Sequence, residues 1–410
     1  MDSPTPAVSA RYHAFDALRA AMMLLGVALH SATAYSTFPD VWWLKDPVTS
    51  RSADLFILFI HTFRLPAFFV MSGFFAALLI ERRGRQGFLE NRAARLGLPF
   101  LLGMLAMYPF LKLSSVYCHF LTRDPDPWGR TLSWLAQGRL ERSIEPMHLW
   151  FLEILMWLCL AAAAFAPALD RTLGAPWFLR LLRSRSAIPF WSFLTFLTLL
   201  LTEVGILDTP HNFSLHAHIV AAYAVFFCFG WGLYRHRDSL DAFHRIHPAV
   251  LLLALPCLYL AGGAIDRQLA VRSVRDWFAF GASAALNAFM AWLFIFALIG
   301  LFLRRCSQPS PRARYLSDSA YWLYLFHPPV LVLVQMPMMS LSWPAEVKFV
   351  LGLACALPVL FFTYDRWVRP TWLGAILNGR ACPSGLPAVS APAPLPEDRA
   401  DSPVLSPTCS

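Results

Sequence analysis

Residues 11–31 read RYHAFDALRAAMMLLGVALHS, a run apolar enough to span a membrane that nevertheless contains Asp16, Arg19 and His30. Successive residues of an α-helix are rotated by about 100°, so residues eleven positions apart lie on nearly the same face. Arg19 and His30 therefore share one face, separated by roughly 16 Å along the helix axis. Polar groups are costly inside a bilayer, which marks this helix as functional.

The composition of the whole chain agrees with a membrane helix. Of its 410 residues 57% are hydrophobic and only 14% are charged, whereas about a quarter of the residues of a soluble domain are charged. We therefore predict an all-α integral membrane protein with about ten transmembrane helices. The predicted spans are 14–36, 53–80, 96–118, 147–169, 187–207, 214–234, 248–265, 277–303, 317–338 and 346–369. The seventh is predicted to be short and broken by Pro256 and by Gly262 and Gly263.

Basic residues orient this predicted bundle. Sixteen arginines lie in the loops after spans two, four, six and eight, against nine basic residues in the other internal loops. Cytoplasmic loops are enriched in Lys and Arg, so we predict a multi-pass protein of the bacterial inner membrane with both termini in the cytoplasm. The first 13 residues form a cytoplasmic segment, residues 14–370 the membrane domain, and the Pro-, Ala- and Ser-rich residues 381–410 a disordered tail. The net charge of +9 is explained by topology and requires no nucleic-acid partner.

Polar residues of the first two spans are the strongest functional candidates. Counting along both helices places His30, His61 and Arg64 at similar depth in the outer half of the bilayer. Ser72 lies deeper on the His61 face. Each has a structural alternative: a histidine can hydrogen-bond a neighbouring helix, an arginine can pair with an acid, and a serine can allow close helix approach.

A basic cluster is predicted at the cytoplasmic edge. Arg92 and Arg95 in ENRAARLGLPF are one helical turn apart, so both guanidinium groups are expected to face one way. Together with Arg19 they would bind the phosphates of a cofactor, because guanidinium matches phosphate oxygens two at a time. The alternative is that the pair only anchors the helix end in the membrane interface.

Further polar residues occur in spans four and nine. His148 and Glu153 begin span four, and Tyr324 and His327 precede Pro328 and Pro329 in span nine. These side chains are expected to line a substrate cavity, because the two prolines free backbone carbonyls inside the span. The histidines of HNFSLHAH, residues 211–218, are not predicted to bind a metal because no carboxylate is near them in sequence.

These segments resemble the type-3 family of membrane acyltransferases. The resemblance is carried by FDALRAAMMLLGVALHSATAYS, FIHTFRLPAFFVMSGFF, RAARLGLPFL, HLWFLEIL and YWLYLFHPPVLV, and it extends over roughly residues 11–370. It implies ten helices and transfer of an acyl group, with succinyl as a candidate, from a cytoplasmic acyl-CoA such as succinyl-CoA to a glycan outside the membrane. Arg19, Arg92 and Arg95 would bind the donor, His30 would act as general base, and Arg64 or His61 would stabilise the oxyanion.

Other functions are compatible with the same pattern. A transporter or flippase for a glycan or an anionic substrate also uses His and Arg inside its helices, although no inverted repeat is evident. A structural subunit of a glycan synthesis complex would leave the charged residues of the first span unexplained. Within the acyltransferase reading, a covalent acyl-enzyme on His30 or Ser72 remains an alternative to direct transfer.

The predicted topology can be tested with reporter fusions. A reporter active only outside the cytoplasm should be active when fused after residue 125 and silent when fused to the C-terminal tail, because the sixteen arginines hold the even-numbered loops inside. The reverse pattern of activity would overturn this orientation and with it a cytoplasmic donor site.

Overall fold

The architecture is all-helical in the part of the chain that the computed structural model describes, which is residues 12–38, 44–121, 123–142, 144–210, 212–270 and 275–378. The predicted N-terminal segment lies almost entirely outside the described residues, and the predicted C-terminal tail wholly so. The α-helices in chain order are α1 His13–Thr33, α2 Arg51–Arg92, α3 Leu98–Leu121, α4 Pro127–Ala136, α5 Arg139–Arg142, α6 Trp150–Leu173, α7 Pro176–Arg183, α8 Ala187–Leu199, α9 Ala217–Arg235, α10 Ala254–Ala270, α11 Trp277–Arg305, α12 Pro311–Gln335, α13 Ala345–Thr363 and α14 Trp372–Asn378.

Short 3₁₀- and π-helical segments connect or extend several of these helices. Two π-helical turns extend α-helices, at Ala93–Gly97 between α2 and α3 and at Tyr364–Val368 after α13. The 3₁₀ segments are Met147–Leu149, Arg237–Arg245, Pro248–Leu253 and Met336–Ser340.

The predicted membrane bundle is confirmed. Among the described residues, eight continuous helical segments are long and apolar enough to cross a membrane. One of them, Arg51–Leu121, contains the second and third predicted spans, and α8 is a shorter apolar helix at the fifth. Each of the ten predicted spans therefore has a helix, in a polytopic all-α bundle.

Two span predictions were wrong in detail. The fifth helix ends at Leu199 rather than near residue 207, and the chain continues in turns and bends that include Gly205, which has a φ of 74°. The seventh is not broken: α10 continues through Gly262 and Gly263, and Pro256 lies in its first turn. A proline in the first helical turn removes an N–H that has no partner inside the helix, so it does not interrupt the hydrogen-bond ladder.

The tightest helix packing joins α2 to α9. An added Cβ on Gly73 would lie 1.9 Å from the carbonyl oxygen of Phe227, and one on Gly230 would lie 1.9 Å from that of Val70. The two backbones touch at these glycines, and small residues permit this approach where lipid supplies no hydrophobic drive. α2 also packs against α1, α6 and α11, and α1 packs along α12.

Aromatic side chains fill the space between α8, α9 and α11. Trp292 is fully buried and stacks on Phe226, with ring centroids 4.9 Å apart, and on Trp191, at 5.4 Å. Its indole N–H donates to Thr195 Oγ1 at 2.8 Å. This contact satisfies the one polar atom of the Trp292 side chain inside an apolar cluster.

A buried ion pair holds the connection between α1 and α2. Lys348 Nζ in the first turn of α13 lies 2.7 Å from Asp46 Oδ1, and the two side chains are 0% and 1% exposed. Asp54 in the first turn of α2 accepts hydrogen bonds from the hydroxyls of Ser36 and Thr37. These carboxylates fix the described parts of the α1–α2 connection against two helices.

The α2–α9 contact predicts an asymmetric response to added methyl groups. Gly230→Ala should lower stability by about 1 to 3 kcal/mol, because the two backbones must separate. Gly263→Ala is the matched control, because a Cβ there meets nothing within 4 Å. Thermal unfolding in detergent should show a lower midpoint for Gly230→Ala alone, and equal midpoints for the two variants would contradict the close contact.

Candidate functional site

A cavity of about 950 Å³ opens at the end of the bundle where α1 ends and α2 begins. Its walls come from α1, α2, α6 and the segment between α8 and α9. Five of the predicted site residues line it: His30, His61, Arg64, His148 and Tyr324. The predicted alignment of the first two spans is therefore reproduced by the packing of α1 on α2.

Arg64 lies beside His30 in this cavity. An added Cβ on Gly26 would stand 2.7 Å from Arg64 Nη1, so the guanidinium packs against the bare backbone of α1 one turn before His30. Arg64 is 6% exposed and forms no ion pair with a carboxylate among the described residues. A buried cation without a counter-ion thus faces the cavity next to an imidazole.

Hydrogen bonds to backbone carbonyls determine which ring nitrogen carries the proton in three neighbouring histidines. His61 Nε2 lies 2.7 Å from the oxygen of Leu207, His148 Nε2 lies 3.2 Å from that of Leu325, and His327 Nδ1 lies 2.8 Å from that of Leu323. A carbonyl oxygen only accepts, so the named nitrogen carries the proton in each ring.

A proline of α12 explains one of these contacts. Pro329 has no N–H, so the carbonyl of Leu325, four residues earlier, loses its helical partner and accepts from His148 instead. Pro328 removes the helical donor to the carbonyl of Tyr324 in the same way, but the His327 ring donates to the carbonyl of Leu323. The carbonyls are therefore freed as the sequence predicts, but α12 remains a continuous helix through both prolines.

The rings form a connected cluster. The centroids of His30 and His327 are 5.0 Å apart, and those of His148 and His327 are 5.7 Å apart. Tyr324 donates its hydroxyl to the carbonyl of His148 at 2.8 Å. His327 is 2% exposed and lies outside the cavity lining, in contact with residues of the lining.

The three predicted donor-binding arginines gather around the first half of α12. Arg19 Nη2 donates to Ser317 Oγ at 2.5 Å and lies 3.4 Å from Asp16 Oδ1. Tyr321, one turn after Ser317, donates to the carbonyl of Arg95 at 2.7 Å. Arg92 and Arg95 both interact electrostatically with Tyr321.

Arg92 and Arg95 are not related by a regular helical turn. The π-helical turn Ala93–Gly97 contains Arg95 and changes its angular relation to Arg92, so regular helical spacing does not describe the pair, and the prediction that both groups face one way stays a prediction. Arg92 instead lies over the Phe88 ring at 5.2 Å, and Arg95 Nη1 donates to the carbonyl of Ile376. Tertiary contacts bring the two groups to the same tyrosine.

Besides His327, two predicted cavity residues do not line the cavity. Ser72 is half-buried next to Gly73 at the α2–α9 contact, and Glu153 is buried in α6 with no hydrogen-bond partner for Oε2 among the described residues. Neither lines the cavity. Their predicted substrate roles remain predictions.

The cavity also includes residues that sequence reasoning missed. Asp54 and Trp150 line it, and Tyr223, fully buried, interacts electrostatically with Arg64. The sequence feature that could have identified Asp54 is an acidic residue at the start of an apolar span. No sequence pattern distinguishes Tyr223, because a tyrosine in an apolar helix is usually part of the hydrophobic core.

The class of protein follows from comparison with known families. A family model described as an acyltransferase domain matches residues 12–364, which include all the site residues described above. The chain belongs to this acyltransferase-3 family of membrane proteins and is therefore an acyltransferase. Of the functions left open by the sequence, enzymatic acyl transfer is the one that the family supports.

Particular relatives are similar over part of the chain. It is 32% identical over 155 residues to glucans biosynthesis protein C of Escherichia coli O6:K15:H31, covering 38% of each chain. It is 32% identical over 149 residues to glucans biosynthesis protein C of Salmonella paratyphi B, covering 36% of this chain and 37% of that one. The match thus spans well under half the length of these relatives. No solved structure matches the chain.

Proposed function

We propose that this enzyme moves an acyl group, with succinyl the first candidate, from a cytoplasmic acyl-CoA to a hydroxyl of a glycan outside the bacterial inner membrane. One observation carries the proposal: arginines collect at one end of α1 and α12, and a base lies in a cavity at the other. Arg19 and His30 mark these ends on α1, eleven residues apart.

The arginine end supports binding of an anionic donor. Arg19 forms an ion pair with Asp16 at 3.4 Å, while Arg92 contacts the Phe88 ring and Arg95 a carbonyl oxygen. Arg92 and Arg95 therefore have no carboxylate partner among the described residues, so this end of the bundle keeps an excess of positive charge. Guanidinium groups bind phosphate oxygens through paired hydrogen bonds, which suits the phosphates of coenzyme A.

The cavity end supports the chemical step. His30 removes the proton from the acceptor hydroxyl as that oxygen attacks the thioester carbonyl; the oxygen–carbon bond forms, the sulfur–carbon bond breaks, and the proton passes to the leaving sulfur. Arg64 stabilises the oxyanion, because a positive charge held out of bulk water acts strongly on developing negative charge. Of the two residues considered for a covalent acyl-enzyme, Ser72 does not line the cavity, and we propose that His30 acts as the base of a direct transfer.

The acceptor proposal rests on the cavity and on the relatives. The cavity is wide, and its wall combines Trp150 with the polar side chains of Glu145 and Asp208. Such a mixed lining fits a sugar, which presents both hydroxyls and an apolar ring face. The printed name of the relatives points to a glucan, and a glycan synthesis complex would then supply the acceptor.

The base assignment predicts the effect of His30→Gln. This variant is similar in size and still hydrogen-bonds, so it should insert at near-normal levels and lose at least about a hundredfold in rate. His236→Gln is the matched control, because it makes the same substitution at a partly buried histidine that does not line the cavity. The measurement is ester content of extracytoplasmic glycan per inserted enzyme, and ordinary activity of His30→Gln would overturn the mechanism.

The donor assignment predicts the effect of removing two arginines. Arg92→Ala with Arg95→Ala should weaken binding of succinyl-CoA to purified protein about tenfold or more and reduce its salt sensitivity. Arg82→Ala with Arg85→Ala removes the same charge from exposed positions of α2 and should leave binding within about twofold. Equal affinities of the two double variants would show that Arg92 and Arg95 only anchor the helix end.

A further inference from the structure

His327 has one ring nitrogen, Nε2, that makes no hydrogen bond with the described residues of the protein. Its Nδ1–H is held by the carbonyl of Leu323, so the neutral ring has its lone pair on Nε2. That nitrogen is buried and has no hydrogen-bond partner among the described residues. Buried acceptors are normally paired, because an unpaired one costs free energy of desolvation.

The surroundings of His327 indicate what this acceptor is for. The nearest ring is that of His30 on α1, with centroids 5.0 Å apart and planes inclined by 33°. The second ring, of His148, already has its Nε2–H directed to the carbonyl of Leu325. His30 is the residue of this cluster that also lines the cavity next to Arg64.

We propose that His327 is the positioning residue for His30, with its Nε2 lone pair accepting a hydrogen bond from the His30 ring during the reaction. The inference rests on the proposed function of His30 as base. One His30 nitrogen takes the hydroxyl proton while the other donates to His327, which orients the ring and spreads the positive charge. The proton then leaves His30 for the thiolate sulfur, so His327 gains and loses none.

This arrangement follows the logic of enzymes in which a third group orients the catalytic base. Here the orienting group is neutral, which suits a site that already contains the Arg64 cation, for which the described residues supply no carboxylate partner. The helix supplies the rigidity: Leu323 and His327 are one turn apart on α12, so the ring is tied to its own backbone. α12 in turn packs along α1, which carries His30.

Two conservative substitutions separate this role from a structural one. In His327→Asn the side-chain amide occupies the place of Nδ1 and keeps the bond to Leu323, but nothing replaces Nε2. In His327→Gln the amide reaches the place of Nε2 and offers an acceptor to His30. We expect His327→Asn to lose about 100-fold in kcat, and His327→Gln to remain within about tenfold of the wild type.

The assay is thiol release from succinyl-CoA and acetyl-CoA by reconstituted full-length enzyme with a soluble glucan as the acyl acceptor, together with the thermal unfolding midpoint. KM for the donor should change by less than about twofold in both variants, because His327 does not touch the arginine end. Trp322→Phe is the matched control: it removes another buried side-chain hydrogen bond of α12, the one to Thr363, and should leave kcat unchanged.

A double variant tests whether the two histidines act together. Residues that act as a unit are not additive, so His30→Gln with His327→Asn should be no slower than His30→Gln alone. The proposal is overturned if the two losses multiply, or if His327→Asn is active and His327→Gln is not. Full activity of His30→Gln in the same assay would instead defeat the proposed function, so the two failures are distinguishable.

Discussion

The site depends on the need to satisfy backbone carbonyls inside the membrane span of α12. Pro328 and Pro329 remove two amide donors, and no water is available in a bilayer core to replace them. The imidazole of His148 donates a hydrogen bond to one of the two freed carbonyls, that of Leu325. This constraint fixes which ring nitrogen carries the proton and holds α6 against α12. The histidine cluster is thus part of the helix packing as well as of the chemistry.

α12 connects the two polar ends of the bundle. Ser317, Tyr321 and Tyr324 follow each other at helical spacing, and their partners are Arg19, the backbone of Arg95 and the backbone of His148. One face of a single helix therefore contacts both the arginine cluster and the cavity wall. Under the proposed function, this face aligns the anionic part of the donor with the base across the membrane. A single helix therefore positions both ends of the site.

The strongest purely structural interactions lie outside the cavity. The α2–α9 contact at Gly73 and Gly230 leaves no space for a side chain, and the Asp46–Lys348 pair is withdrawn from solvent. A buried ion pair depends on both partners, because either charge alone would be left without compensation. These contacts hold α1, α2, α9 and α13 in place around a cavity whose own polar groups are only partly paired. The residues that stabilise the bundle are therefore different from those proposed to carry out the reaction.

The sequence by itself determined the class of fold and the ten helices, and it identified five of the residues that line the cavity. Long apolar runs cannot form anything but helices across a bilayer, and the cost of burying His30 and Arg64 there marks them as exceptional. Helical spacing also placed His30, His61 and Arg64 at one depth, because rise per residue is fixed by local geometry.

Tertiary structure alone decided how those residues are related. The π-helical turn beside Arg95 and the partner of the carbonyl freed by Pro329 depend on neighbouring helices that no local pattern specifies. The same holds for the exclusion of Ser72 and Glu153 from the cavity and for the pairing of Asp46 with Lys348, 302 residues apart in sequence. Packing between segments distant in sequence decides which helix faces meet. A single sequence shows which face of each helix is polar or apolar, but not which neighbour that face contacts.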